Sequence, residues 1–144
     1  MAKHYTRKYE ALASLKPKDA LKLLSGRNRS GMRMALKAAK TAPEQRYSIG
    51  ACIMNGSIVL GTTWNIMYKT HPQGSGIFST AHAETRLVAM LNDIQGSTLY
   101  IVRLSTQGFL RLARPCHDCM NMLITSKVSA VIYSVDYGWT IEKI

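Results

Sequence analysis

Acidic residues are scarce in this chain. Eight Asp and Glu stand against nineteen Lys and Arg in 144 residues, a formal net charge of +11. Such a balance favours a polyanionic partner or an anionic substrate without naming either. Cysteines are few: Cys52, Cys116 and Cys119. An odd count with two of them close together excludes a disulfide framework and reads as a reduced, intracellular chain with a candidate metal pair. Long apolar runs are absent. No stretch approaches the roughly 18 apolar residues of a membrane helix, and none follows the N-terminal Met1–Lys8 as a signal peptide requires. The expectation is a cytoplasmic chain with no membrane partner. Charged residues make up only 19% against 47% hydrophobic, which excludes a charge-rich disordered segment. No internal repeat or low-complexity tract is visible, and the length suits one domain.

The charge is uneven. Residues 1–46 hold 12 basic and 3 acidic residues, a net of +9, and residues 47–144 hold 7 and 5, a net of +2. A basic extension, 1–30, is therefore separated from a core, 31–144. Within residues 4–24 the apolar spacing of Tyr5, Tyr9, Leu12 and Leu15 is helix-compatible, and Pro17 interrupts or restarts it. Ser25–Gly31, with Arg27 and Arg29, reads as a loop, and 31–41 as a helix. Strands are expected at 47–54 and 57–62 around Asn55-Gly56, a hairpin signal. A long loop, 63–80, follows. Then come a helix at 81–93, a strand at 98–104, a turn at 106–108 leading into a short extended piece up to Arg114, a helix at 116–127 and a strand at 128–134, with an ambiguous tail. That order is α/β: a mixed sheet with helices packed over its faces.

Two helix starts carry chemistry, Thr80-Ala81-His82-Ala83-Glu84 and Pro115-Cys116-His117-Asp118-Cys119. Cys116 and Cys119, at i and i+3, point the same way, and a helix N-terminus favours thiolates. Zinc wants four ligands. His82 supplies a third if the two helix starts lie side by side, and the fourth position stays open for water, as in catalytic sites. Zinc brings the pKa of bound water to roughly 7. Glu84, two residues from His82, is placed to carry a proton from that water to a substrate. Lewis acid, water and proton shuttle together suit hydrolytic attack on an electrophilic carbon.

The pair H-A-E and P-C-x-x-C resembles the zinc-dependent cytidine and deoxycytidylate deaminase superfamily over about residues 31–134. The resemblance implies a three-layer cytidine deaminase-like fold, with a central mixed sheet of about five strands and helices on both faces. It implies Zn2+ on His82, Cys116 and Cys119, with Glu84 as general acid/base. Water attacks C4 of cytosine, or C6 of adenine, and ammonia leaves. On the substrate side the candidates are Trp64, Asn65, Ala83 and Pro115, and a homo-oligomer is implied. No subfamily pattern fits whole. Ile66 follows Asn65 where deoxycytidylate deaminases often have Gly. Arg114 stands where tRNA adenosine deaminases, which share Trp-Asn and Thr-Ala-His-Ala-Glu, usually have Glu.

Plainer roles compete. Asn65 also suits a turn, Trp64 suits packing, and Cys52 suits the core. His71 and His117 read as solvated. Tyr133, Tyr137 and Trp139 are split between pocket and core. The preferred reading is deamination of a free cytosine nucleotide such as dCMP, with Lys69, Arg111 or Arg114 on its 5′-phosphate. One alternative is a deaminase of single-stranded DNA or RNA, gripped by Arg27, Arg29 and Arg33. Another is a non-catalytic zinc module that binds nucleic acid.

Overall fold

The computed structural model describes residues 2–6, 16–41, 48–65 and 83–144. Its strands are β1 (Ala2–Thr6), β2 (Ser48–Asn55), β3 (Ile58–Trp64), β4 (Thr98–Leu104), β5 (Leu110–Arg111), β6 (Ala130–Val135) and β7 (Gly138–Lys143). Its helices are α1 (Pro17–Ala20), running into a 3-10 turn at Leu21–Leu23, then α2 (Gly26–Thr41), α3 (Ala83–Met90) and α4 (His117–Thr125). The strands form one mixed sheet in the order β1-β7-β6-β4-β2-β3, with β5 also paired to β4. Among the described strands only β4 and β6 run parallel; the other pairs are antiparallel.

Side chains alternate across this sheet as the two-residue strand period demands. Cys52, Met54, Tyr100, Val102, Ile132 and Trp139 face one way, into a cluster with Met32, Ala35, Leu36 and Ala39 of α2. Ala51, Ile53, Leu99, Ile101, Val131 and Tyr133 face the other way, into a cluster with Ala83 and Leu87 of α3 and Leu123 of α4. The result is three layers, α1 and α2 on one face and α3 and α4 on the other, as expected for the deaminase-like fold.

The β2–β3 hairpin forms where Asn55-Gly56 announces it, shifted by one residue. Asn55 pairs with Ile58, and Gly56 comes first in the two-residue loop with φ 62°, a backbone angle that suits glycine. Gly50 has a different duty. A Cβ there would lie 2.0 Å from the Ala35 carbonyl oxygen and 2.3 Å from the Ala39 nitrogen. Glycine is what lets α2 settle on β2.

Several sequence expectations give way. The loop expected at 25–31 is the first turn and a half of α2. Tertiary contacts override its turn-forming composition: Tyr100 Oη donates to Asn28 Oδ1 at 2.9 Å, and Arg29 Nε donates to the carbonyls of Leu24 and Leu21 at 2.7 and 3.1 Å. Residues 2–6 are not helical but form the strand β1, paired with β7 from Ala2↔Glu142 to Thr6↔Gly138. Pro17 takes the second of its two expected roles and starts a helix, as its fixed φ and missing N–H allow. The tail becomes β7, folded back on β6. Among the described residues the sheet therefore has the four strands placed from the sequence, β2, β3, β4 and β6, together with β1, β5 and β7. Residues 7–15, and most of the expected 63–80 loop, lie outside the described residues.

Candidate active site

The parallel pair β4 and β6 needs a crossover, and α4 is part of it. A crossover helix starts beyond the carboxyl ends of the strands, where α/β proteins gather their ligands. The approach to α4 is pinned before it arrives. Ala113 N donates to Ser134 O at 2.9 Å, and Ser134 Oγ donates to Arg111 O at 2.6 Å while accepting from Arg103 N at 3.0 Å. Pro115 is buried, and Cys116 is the N-cap of α4 in extended conformation.

At this N-cap the two cysteines meet. Cys119 N donates to Cys116 Sγ at 3.5 Å, and Met120 N to Cys116 O at 2.8 Å. Cys116 is exposed, Cys119 is buried, and neither is in a disulfide. Two thiols one turn apart, with a backbone N–H directed at one sulfur, make a donor set that suits zinc. His117 is exposed on the outer side, within 3.3 Å of Asn121 Nδ2. Cys52 sits in the cluster on the opposite face of the sheet, where burial pushes its thiol up to about 12, a core residue as expected.

The second helix start is α3. Ala83 is fully buried and shares a hydrophobic cluster with Ala113, so α3 opens on the sheet face that receives Pro115 and Cys116. Glu84 lies in the first turn of α3; its side chain, and the whole of His82, lie outside the described residues, as do Lys69 and His71. Among the described residues no group of three or more His, Cys, Asp or Glu is placed to hold a metal. The described part of the expected ligand set is thus the Cys116–Cys119 pair.

Trp64 and Asn65 close β3 on the α3 side. Asn65 is buried, with its N–H donating to Ile49 O at 3.0 Å and its Oδ1 accepting from Ile49 N at 2.9 Å. Asn65 therefore extends the β2–β3 pairing by one more residue. The Trp64 carbonyl accepts from Arg86 Nη1, and the Arg86 guanidinium carbon lies 5.5 Å from the centroid of the Trp64 ring. Burial holds that guanidinium below its ordinary value. Arg86 carries no motif in the sequence; its one trace there is its position one helical turn beyond Ala83.

Arg114 is not a spare cation for a phosphate. Its Nε and Nη2 grip Glu142 Oε2 and Oε1 at 2.8 and 3.2 Å, and Tyr133 Oη donates to the same carboxylate at 2.7 Å. The hydrogen bond from Arg114 holds Glu142 below the usual carboxylate range, and burial, then the Glu142 bond, pushes Tyr133 up to about 12. Trp139 belongs to the far cluster and donates from Nε1 to Ala20 O at 2.7 Å, so it lines no pocket on the α3–α4 face. Tyr137 lies in the β6–β7 turn.

Comparison with known proteins now decides the family. The model of the cytidine and deoxycytidylate deaminase zinc-binding region matches residues 26–135. The chain belongs to this family. Zinc is accordingly its cofactor. No curated protein matches the chain. Among solved structures, the dCMP deaminase of cyanophage S-TIM5 in apo form is 22% identical, with 83% of this chain and 84% of that one covered and a TM-score of 0.54. The same enzyme in complex with dCMP and dUMP gives 22% identity, 83% and 82% coverage and a TM-score of 0.55. These likenesses establish the fold, and the family match establishes a deaminase-type zinc region.

Proposed function

We propose that this chain is a zinc-dependent hydrolytic deaminase of a free cytosine nucleotide, of the dCMP type. The observation that carries the proposal is the Cys116–Cys119 turn at the start of α4, on the sheet face where α3 opens with Glu84 in its first turn. His82, Cys116 and Cys119 would hold the metal. Zinc, when bound, supplies a Lewis acid and makes water a nucleophile near neutral pH. The helix N-terminus at α4 favours both sulfurs as thiolates. Glu84 takes a proton from the water and delivers it to the cytosine amino nitrogen, which leaves as ammonia. Cytosine and water thereby become uracil and ammonia. Asn65 and Ala83, one fixed to β2 and one buried at the start of α3, bound the substrate side, and Pro115 shapes the approach to Cys116.

The likeness in fold to a dCMP deaminase crystallised with dCMP and dUMP supports the nucleotide substrate. So does the placement of charge. Arg33, Lys37 and Lys40 line a surface hollow of about 300 Å³ on α2, which packs on the sheet face away from α3 and α4. Arg29 spends its Nε on backbone carbonyls. These described cations of α2 thus lie on the face away from Cys116. We also read the protein as a cytoplasmic homo-oligomer. Among the described residues no helix is long and apolar enough to cross a membrane.

The test is ammonia release from dCMP, CMP, dCTP, cytidine, adenosine and a short single-stranded oligonucleotide, each with the zinc-loaded protein. The proposal expects dCMP or CMP to be turned over fastest. Preferred turnover of the oligonucleotide or of adenosine would overturn the substrate assignment.

A further inference from the structure

Arg86 makes two unlike contacts with one residue. Its Nη1 donates to the Trp64 carbonyl, and its guanidinium stands over the Trp64 ring, 5.5 Å from the centroid. Arginine, unlike lysine, can stack flat on an aromatic face and keep N–H donors in the plane for a carbonyl. The attraction grows as water is excluded, and Arg86 is partly desolvated, which agrees with its depressed pKa. The two residues are 22 apart in sequence.

What the contact joins gives it meaning. Arg86 is on α3, two residues past Glu84 and three past Ala83. Trp64 ends β3, and the next residue, Asn65, is held to β2 by its two hydrogen bonds with Ile49. Asn65 is thus anchored on one side to β2 and on the other, through Trp64 and Arg86, to the helix carrying Glu84.

We propose that Arg86 is a positioning residue that locks the end of β3, with Trp64 and Asn65, against the first turns of α3, and so sets the spacing between the substrate-side segment and the helix start that carries Glu84. Trp64 serves as the plate on which Arg86 docks rather than as a surface for stacking a base. The inference rests on the deaminase reading above.

A double-mutant cycle tests it on the full-length, zinc-loaded chain: Arg86→Met, Trp64→Leu, the pair together, and Arg86→Lys. kcat and KM for dCMP and zinc content are measured for each. Each single change is expected to lower kcat/KM at least ten-fold with zinc content kept. The double variant is expected to lose no more than the worse single, and Arg86→Lys to recover part of the loss. Losses that multiply in the double variant, or kcat/KM unchanged in Arg86→Met, would overturn the lock. Trp64 fluorescence, read in a Trp139→Phe background, is a second measure that needs no turnover. Arg86→Met is expected to shift Trp64 emission to the red, and unchanged emission overturns the lock. A wild-type protein that turns over no cytosine nucleotide overturns the deaminase reading instead, and the emission result then decides the lock alone.

Discussion

Replacing Gly50 with alanine places one methyl group between α2 and β2. The added Cβ would stand 2.0 Å from Ala35 O, 2.3 Å from Ala39 N and 2.9 Å from Ala39 Cα. All three are backbone atoms, so no side chain can swing aside. Bringing the closest of them to even 3.0 Å, a separation real Cβ atoms essentially never go below, moves helix and strand apart by about 1 Å. That movement loosens Met32, Ala35, Leu36 and Ala39 against Cys52 and Tyr100, all within one cluster. Over-packing of a tight core costs roughly 1–3 kcal/mol, and a clash with backbone belongs at the upper end. At about 3 °C per kcal/mol for a chain of this size, the melting temperature should fall by about 6–9 °C. Gly56→Ala is the control. Its Cβ meets nothing within 4 Å but inherits φ 62°, so a loss of about 1 kcal/mol is expected. Gly50 also pairs with Trp64, so the displaced β2 should reduce deaminase activity as well. Thermal melts of the two variants measure this. A Gly50→Ala protein melting within 2 °C of wild type would refute the close approach of α2 to β2.

Other expectations follow from the same contacts. Glu142→Gln removes a partly exposed ion pair and the charge that strengthens a tyrosine bond, a loss of about 1 kcal/mol at neutral pH. Because Glu142 is held below the usual carboxylate range, this stability is complete above that range and is lost as pH falls through the lowered value. Melts from pH 7 to pH 3 should show wild type and Glu142→Gln converging at the acid end; a constant gap would contradict the assignment. Cys119→Ser should lower bound zinc well below that of wild type, measured by metal analysis after dialysis against a weak chelator. Cys52→Ala, buried on the other face of the sheet, should leave zinc content unchanged.

Much of the architecture could be read from residue order because local rules and packing agree there. The run Leu99-Tyr100-Ile101-Val102 is apolar throughout since β4 is covered on both faces, and the residues around Cys116 follow cap and helix-dipole chemistry. Where they disagree, order alone failed. Gly26, Asn28, Ser30 and Gly31 have loop chemistry, yet Tyr100 and the carbonyls of the preceding turn hold them in α2. Gly31 is required there because a Cβ would fall 2.4 Å from the Tyr100 ring. The strand β1 could not be foreseen, because its edge partner β7 is at the other end of the chain. Arg114 looked available for a phosphate because Glu142, 28 residues away, could not be matched to it by spacing. Arg86 was missed for the same reason: its partner lies on a strand that only the folded sheet brings near.

The role of Glu84 is the centre of the account, and one variant tests it most directly. Glu84→Gln keeps the size of the side chain and removes its proton transfer. Zinc content and dCMP turnover should be measured on the same preparation. The account predicts zinc retained at the wild-type level with kcat lowered about 100- to 10,000-fold. Turnover within a few-fold of wild type, with zinc in place, would contradict it.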